Sequence, residues 1–312
     1  MSKFVITCIA HGENLPKETI DQIAKEITES SAKDVSINGT KKLSARATDI
    51  FIEVAGSIVQ KDLKNKLTNV IDSHNDVDVI VSVDNEYRRA KKLFVFDMDS
   101  TLIYQEVIEL IAAYAGVEEQ VHEITERAMN NELDFKESLR ERVKLLQGLQ
   151  VDTLYDEIKQ KLEVTKGVPE LCKFLHKKNC KLAVLSGGFI QFAGFIKDQL
   201  GLDFCKANLL EVDTDGKLTG KTLGPIVDGQ CKSETLLQLC NDYNVPVEAS
   251  CMVGDGGNDL PAMATAGFGI AWNAKPKVQK AAPCKLNTKS MTDILYILGY
   301  TDDEIYNRQW RK

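Results

Sequence analysis

Two rhythms of apolar and polar positions run along this chain. Over the first 85 residues, apolar runs at 4–10, 35–38, 50–54 and 77–83 read as strands, while apolar positions spaced three and four apart at 17–29 and 63–71 read as helices. Their order is β-α-β-β-α-β, and a charged stretch, residues 84–92, serves as a linker out of the unit. The pattern then changes. Leu93-Phe94-Val95-Phe96 has no polar position, which predicts a strand covered on both faces, as in a parallel sheet flanked by helices.

The next strand of that kind, residues 181–186, follows a long interval with helical spacing at 107–114, 118–129, 135–146 and 152–162. Gly116 and Gly148 stand where the first and third of these helices must stop. A plain crossover needs one helix. The surplus, about 105–165, is read as a helical cap inserted over the sheet's carboxyl edge, where a lid would exclude water. Helices at 168–177, from 190, at 233–241 and at 260–264, a strand at 251–253 and a weakly amphipathic helix at 292–298 complete a wound α/β unit. Among them, Asp213-Thr214-Asp215-Gly216-Lys217-Leu218 has the acidic spacing of a calcium loop, but Leu218 and Gly224 stand where such a loop needs Gly and Glu. Asp215-Gly216 predicts a hairpin turn instead.

At 312 residues the chain is long for one domain, so the patterns divide it into an N-terminal α+β unit, 1–85, and a larger α/β unit, 86–312. A hydrophobic share of 43% suffices for a real core, and a net charge of -7 speaks against nucleic acid as a partner. No apolar run approaches membrane-spanning length, so no membrane is expected. Residues 1–10 are followed by His11-Gly12-Glu13-Asn14 without a small-residue cleavage site, and read as a strand rather than an export signal. The eight cysteines show no C-x-x-C spacing and read as reduced, buried thiols, which makes the cytoplasm the expected compartment. The four histidines are scattered, so zinc and histidine-activated nucleophiles lack ligands.

The candidate chemistry begins where the all-apolar strand ends. Asp97 and Asp99 emerge at the carboxyl edge of the sheet, where open α/β folds bind their ligands. An Asp-x-Asp alone is usually a turn or a helix cap. Three further features follow in order: Ser186-Gly187-Gly188 after a second strand, Lys232 near a helix start, and Gly254-Asp255-Gly256-Gly257-Asn258-Asp259 after a third strand. The last is no dinucleotide fingerprint, because Asp259 replaces its third glycine. A Ser-Gly-Gly bend offers amides to phosphate, and carboxylates gathered beside a phosphate favour an oxygen-ligated cation such as Mg²⁺.

In that order the features resemble the four motifs of the haloacid dehalogenase-like hydrolases across residues 90–290, and Glu106 and Arg142 resemble the phosphoserine phosphatase branch. The resemblance implies a Rossmann-like parallel-sheet core with a helical cap. It implies Asp97 as a nucleophile that forms an aspartyl phosphate, and Asp99 as proton donor and then general base. It also implies Mg²⁺ held by the Asp97 side chain, the Asp99 main-chain carbonyl and the Asp255 side chain, with Asp259 in an outer shell. Phosphate would be held by Ser186, Gly187, Gly188 and Lys232. The rest of O-phospho-L-serine would meet Glu106 at its ammonium, Arg142 at its carboxylate, Met129 and Phe135 along the pocket wall, and Asn258. Arg140 and Arg142 cannot both face the site from one helix, and only the resemblance chooses between them.

The N-terminal order is ferredoxin-like and looks like ACT-type modules that often bind amino acids; a packing or oligomerisation module, giving a homodimer, fits the pattern as well. The expected function is therefore Mg²⁺-dependent hydrolysis of O-phosphoserine to serine and phosphate, the last step of serine biosynthesis. A phosphatase or phosphotransferase for another small phosphomonoester and a serine-sensing regulatory protein are the alternatives.

Overall fold

The structure, a computed structural model, describes residues 1–30, 34–129 and 132–306. Strands β1 (Ser2–Ala10), β2 (Val35–Lys42), β3 (Ala47–Val54) and β4 (Val77–Val83) pair antiparallel in the order β2-β3-β1-β4. Period-two alternation gives this sheet two different faces. Phe4, Ile6 and Cys8 pack against Ile20, Ile23 and Ile27 of the helix Lys17–Ser30, whose spacing of three and four produces one apolar stripe. Ile9, Ala47 and Ile80 face the other way and join the larger core.

The second sheet contains β5 (Leu93–Phe96), β6 (Lys181–Phe189), β7 (Phe204–Val212), β8 (Leu218–Leu223), β9 (Ser250–Gly254), β10 (Phe268–Trp272) and β11 (Cys284–Leu286). Its order is β11-β10-β9-β5-β6-β7-β8, parallel except for the β7–β8 hairpin. β5 lies at the centre. Phe94 and Phe96 belong to one apolar cluster and Leu93 and Val95 to another, which is why the strand has no polar position. From β5 the chain moves outward through β6 and β7 to β8, then crosses back to β9. The order therefore reverses between β5 and β9, so the connections leaving their carboxyl ends run to opposite sides and open a crevice there.

Between β5 and β6 stand the helices Val107–Ala115, Glu118–Met129, Phe135–Lys144 and Leu154–Lys159. Gly116 ends the first in a left-handed conformation (φ 65°) that only glycine adopts without strain. Asp134 and Glu137 close a reciprocal capping box at the start of the third. The β7–β8 turn has no calcium-loop geometry: Asp213 Oδ1 accepts from the Asp215 and Lys217 amides, both at 2.9 Å.

Three sequence expectations differ from the structure. Residues 84–92 are more than a bare charged linker, because the short helix Glu86–Arg89 buries Arg88 against the small sheet while the residues around it stay largely exposed. Its guanidinium meets Asp49 of β3 (2.8 Å) and donates to the Ile297 carbonyl (2.9 Å). The helix Gly229–Asp242 begins before Ser233 because Asp228 caps it, accepting from the Cys231 amide at 2.9 Å. β10 and β11 were not expected, since runs this short carry no period of their own. No helix among the described residues is long and apolar enough to cross a membrane.

Candidate active site

Asp97 follows β5 directly, its amide bonded to the Val253 carbonyl of β9 (2.9 Å). The chain then makes one wide turn, closed by the Ile103 amide on the Met98 carbonyl (3.1 Å), with Ser100 in a left-handed conformation (φ 52°). That conformation is costly for a serine and marks a backbone held in place by its surroundings. Asp99 lies in this turn, not in the strand, so its direction follows from the turn and not from strand alternation. Its Oδ1 accepts from the Val107 amide (2.8 Å), and its Oδ2 lies 3.5 Å from Ser186 Oγ.

The neighbouring strand β9 ends at Gly254. A side chain there would collide with the Asp259 carboxylate, so glycine lets the acidic turn fold back over the strand end. Asp259 accepts from Lys232 Nζ (2.7 Å) and from the Gly256 amide (3.0 Å), and Asp255 Oδ1 accepts from Thr101 Oγ1 (3.1 Å). Lys232, with no exposed surface, also reaches Asp97 Oδ1 at 3.0 Å.

One buried ammonium thus faces several carboxylates. Burial raises the Asp97 pKa well above the ordinary range, and Asp259 adds to the rise against the pull of Lys232. Asp99 is pushed up to about 7, first by burial and then by Glu106. Asp255 is pushed up to about 8, first by burial and then by Asp259. Burial alone would lower the Lys232 pKa, but Asp259 and Asp97 outweigh it and raise it. One carboxylate oxygen from each of Asp97, Asp255 and Asp259 lies within 4.8 Å of the others. An oxygen-only cluster short of positive charge fits a divalent metal ion.

β6 supplies the third edge. Its ladder with β7 is interrupted between Leu185 and Phe189, where Ser186-Gly187-Gly188 bends away. Ser186 Oγ accepts from the Gly188 amide (2.9 Å). A Cβ on Gly187 would fall 2.6 Å from the Phe135 ring and 3.3 Å from Asn258 Nδ2, so this backbone is approached closely from two sides. A Cβ on Gly188 would fall 2.6 Å from Asp99 Oδ2.

The inserted helices close the crevice. Glu106 Oε1 accepts from Ser100 Oγ (2.6 Å), and burial raises its pKa despite that bond. Arg142 donates to the Ser138 carbonyl (3.3 Å); burial lowers its pKa, while Glu106 and then Asp99 pull it up. Arg140, two residues away, is exposed. The Met129 side chain lies outside the described residues. Asp97, Asp99, Glu106, Phe135, Arg142, Ser186, Gly187, Gly188, Lys232, Asp255 and Asn258 therefore surround one crevice. Sequence reasoning missed Thr101 and Asn208. Thr101 carried no signal beyond adjoining the acidic pair, and Asn208 stands in a strand that also carries Lys206 and Glu211, so nothing in the sequence marks its burial.

Residues 91–267 match the haloacid dehalogenase-like hydrolase family. A probable phosphoserine phosphatase of Schizosaccharomyces pombe is 44% identical over 80% of this chain and 85% of its own length. A phosphoserine phosphatase of Streptomyces coelicolor is 39% identical over 94% of this chain and 70% of its own length. A solved phosphoserine phosphatase, captured as a phospho-aspartyl intermediate analogue, superposes with a TM-score of 0.63 at 39% identity, over 66% of this chain and 98% of that one. With these matches lying over the strand ends that gather the acidic residues, the chain belongs to the haloacid dehalogenase-like hydrolases, in their phosphoserine phosphatase branch.

Proposed function

We propose that the protein hydrolyses O-phospho-L-serine to serine and phosphate through an aspartyl-phosphate intermediate. The observation that carries this reading is a desolvated acid and base, Glu106 and Arg142, close enough to act on each other and on Asp99, and bonded to Ser100 and Ser138. That pairing suits an ammonium and a carboxylate attached to one phosphate ester. Asp97 Oδ attacks phosphorus, and the bond to the seryl oxygen breaks as that oxygen takes a proton from Asp99. A pKa raised to about 7 lets Asp99 carry that proton near neutrality. Water then attacks the phosphorus, gives its proton to Asp99, and releases phosphate from Asp97. Ser186, the Gly187 and Gly188 main chain, Lys232 and Asn258 hold the phosphoryl oxygens, and Phe135 walls the pocket. Mg²⁺, held by the Asp97 and Asp255 side chains and the Asp99 main-chain carbonyl, would offset the charge of substrate and carboxylates.

On the same reading, residues 1–85 form a ferredoxin-like unit of the ACT type, and 86–312 the phosphatase unit with its cap at about 105–165. The β2-β3-β1-β4 order and a separate apolar cluster support the first assignment. Eight free thiols suit the cytoplasm.

Phosphate release from phosphoserine, phosphothreonine and an aryl phosphate tests the reading. Activity should require Mg²⁺, stop with EDTA, and fall roughly four orders of magnitude or more in Asp97→Asn. Arg142→Ala should lose at least about 2 kcal/mol, roughly thirty-fold in kcat/KM, for phosphoserine while sparing the aryl ester. Equal losses on both esters would remove the serine assignment and leave the phosphatase.

A further inference from the structure

We propose that Asn208 is a positioning residue for phosphoryl transfer, one buried amide that holds the Ser186–Gly188 bend and the approach to Lys232 in register. The inference rests on the phosphatase reading above. Asn208 is 2% exposed and lies on β7, paired with Phe189 where the β6 ladder resumes after the Ser186–Gly188 bend. Its Nδ2 donates to the Gly187 carbonyl at 2.8 Å, and its Oδ1 accepts from the Val227 amide at 2.8 Å. A carbonyl needs a donor and an amide needs an acceptor, so only one orientation of the side chain satisfies both.

On one side, the peptide joining Gly187 to Gly188 is pinned at both ends, by Asn208 at its carbonyl and by Ser186 Oγ at its N–H (2.9 Å). Because Ser186 Oγ accepts that N–H, its own hydrogen is directed elsewhere, towards the space beside Asp99 Oδ2 at 3.5 Å. A phosphoryl oxygen in that space would receive it. On the other side, Val227 immediately precedes Asp228, which caps the helix carrying Lys232, and the Lys232 amide bonds the Asp228 carbonyl (2.9 Å). Asn208 touches neither substrate nor metal ligands in this arrangement; it fixes the spacing of two groups that do meet the phosphate. Its effect must fall on the phosphoryl group and be indifferent to the serine portion.

Asn208→Asp keeps the volume and the acceptor for Val227, but sets an oxygen against the Gly187 carbonyl. In full-length protein with Mg²⁺, kcat/KM should fall about a hundred-fold for phosphoserine and for an aryl phosphate alike. Inhibition by orthovanadate should weaken in parallel, and the ratio between the two esters should stay that of the unaltered protein. Asn208→Ser, which keeps a small polar group but lacks the reach to join the Gly187 carbonyl to the Val227 amide, should show the same signature. A lowered Tm with unchanged turnover per folded molecule and unchanged vanadate inhibition would overturn the role, as would failure of both variants to fold. Loss of phosphoserine preference in the unaltered protein would instead overturn the substrate reading, leaving the aryl phosphate and vanadate results to decide on Asn208.

Discussion

Lys232 and Arg88 are both buried cations held against carboxylates, one beneath the carboxyl edge of the large sheet and the other where the two sheets meet. Around Arg88 the charge is matched by Asp49, and further donors go to Thr7 (3.1 Å) and the Ile297 carbonyl (2.9 Å). Around Lys232 it is not: Asp97 and Asp259 touch the ammonium, Asp255 and Asp99 lie nearby, and burial and mutual repulsion raise the pKa of Asp97, Asp99 and Asp255. The contrast teaches how to separate a structural ion pair from a reactive one. Balanced charge with satisfied donors fixes a geometry; a surplus of one sign leaves room for a ligand of the other.

The comparison breaks most visibly at the junction. Arg88→Met should destabilise the protein by about 3–5 kcal/mol, because it strands the Asp49 carboxylate, whereas the double variant Arg88→Met/Asp49→Leu should recover most of that loss. Urea unfolding measures both, and a single-variant loss below about 1 kcal/mol would mean that the pair is not the anchor its geometry suggests. At the active site the missing charge can be supplied. Mg²⁺ at a hundred times its Kd should stabilise the fold by about 2.7 kcal/mol, and Asp255→Asn should abolish most of that gain. A calorimetric scan with Mg²⁺ or EDTA tells, and equal gains in both proteins would place the ion elsewhere.

The smallest effect belongs to Asp228, which ion-pairs with Lys136 on an inserted helix (3.1 Å) while capping its own. Burial would raise its pKa, but the Cys231 amide and Lys136 outweigh it and hold it below the ordinary carboxylate value. A depressed carboxylate pKa contributes stability above the unfolded-state pKa, about 3.9, and loses it as pH falls through the folded value. Asp228→Asn keeps a good cap, so its stability deficit at neutral pH should be under about 1 kcal/mol and vanish in acid. Unfolding curves at pH 7 and in acid, with and without salt, would show it.

Local physics explains what the sequence made legible. An all-apolar run such as Leu93–Phe96 has few environments available, and Gly116 can stop its helix without help from the fold. The acidic and glycine motifs stand at strand ends, so recognising the strands brings Asp97, Ser186 and Asp255 to one edge. Arg88 was illegible because its partners, Asp49 and Ile297, are far away in sequence and nothing around it marks burial. Ser100 was illegible for a related reason: its left-handed backbone is imposed by the turn, which the Val107 and Ile103 amides close from downstream. The choice of Arg142 over Arg140 needed the resemblance, since helix geometry separates the two without saying which one is exposed.

The reverse face of the small sheet carries a practical consequence for anyone trimming this chain. Ile9, Leu43, Ala47 and Ile80 belong to the same apolar cluster as Phe94 and Ile297. A fragment cut to begin at β5 would present the surface they now cover to water, as a sticky patch remote from the catalytic crevice. Its failure in expression or its self-association would then report a lost neighbour, and should not be mistaken for a defect in the enzyme.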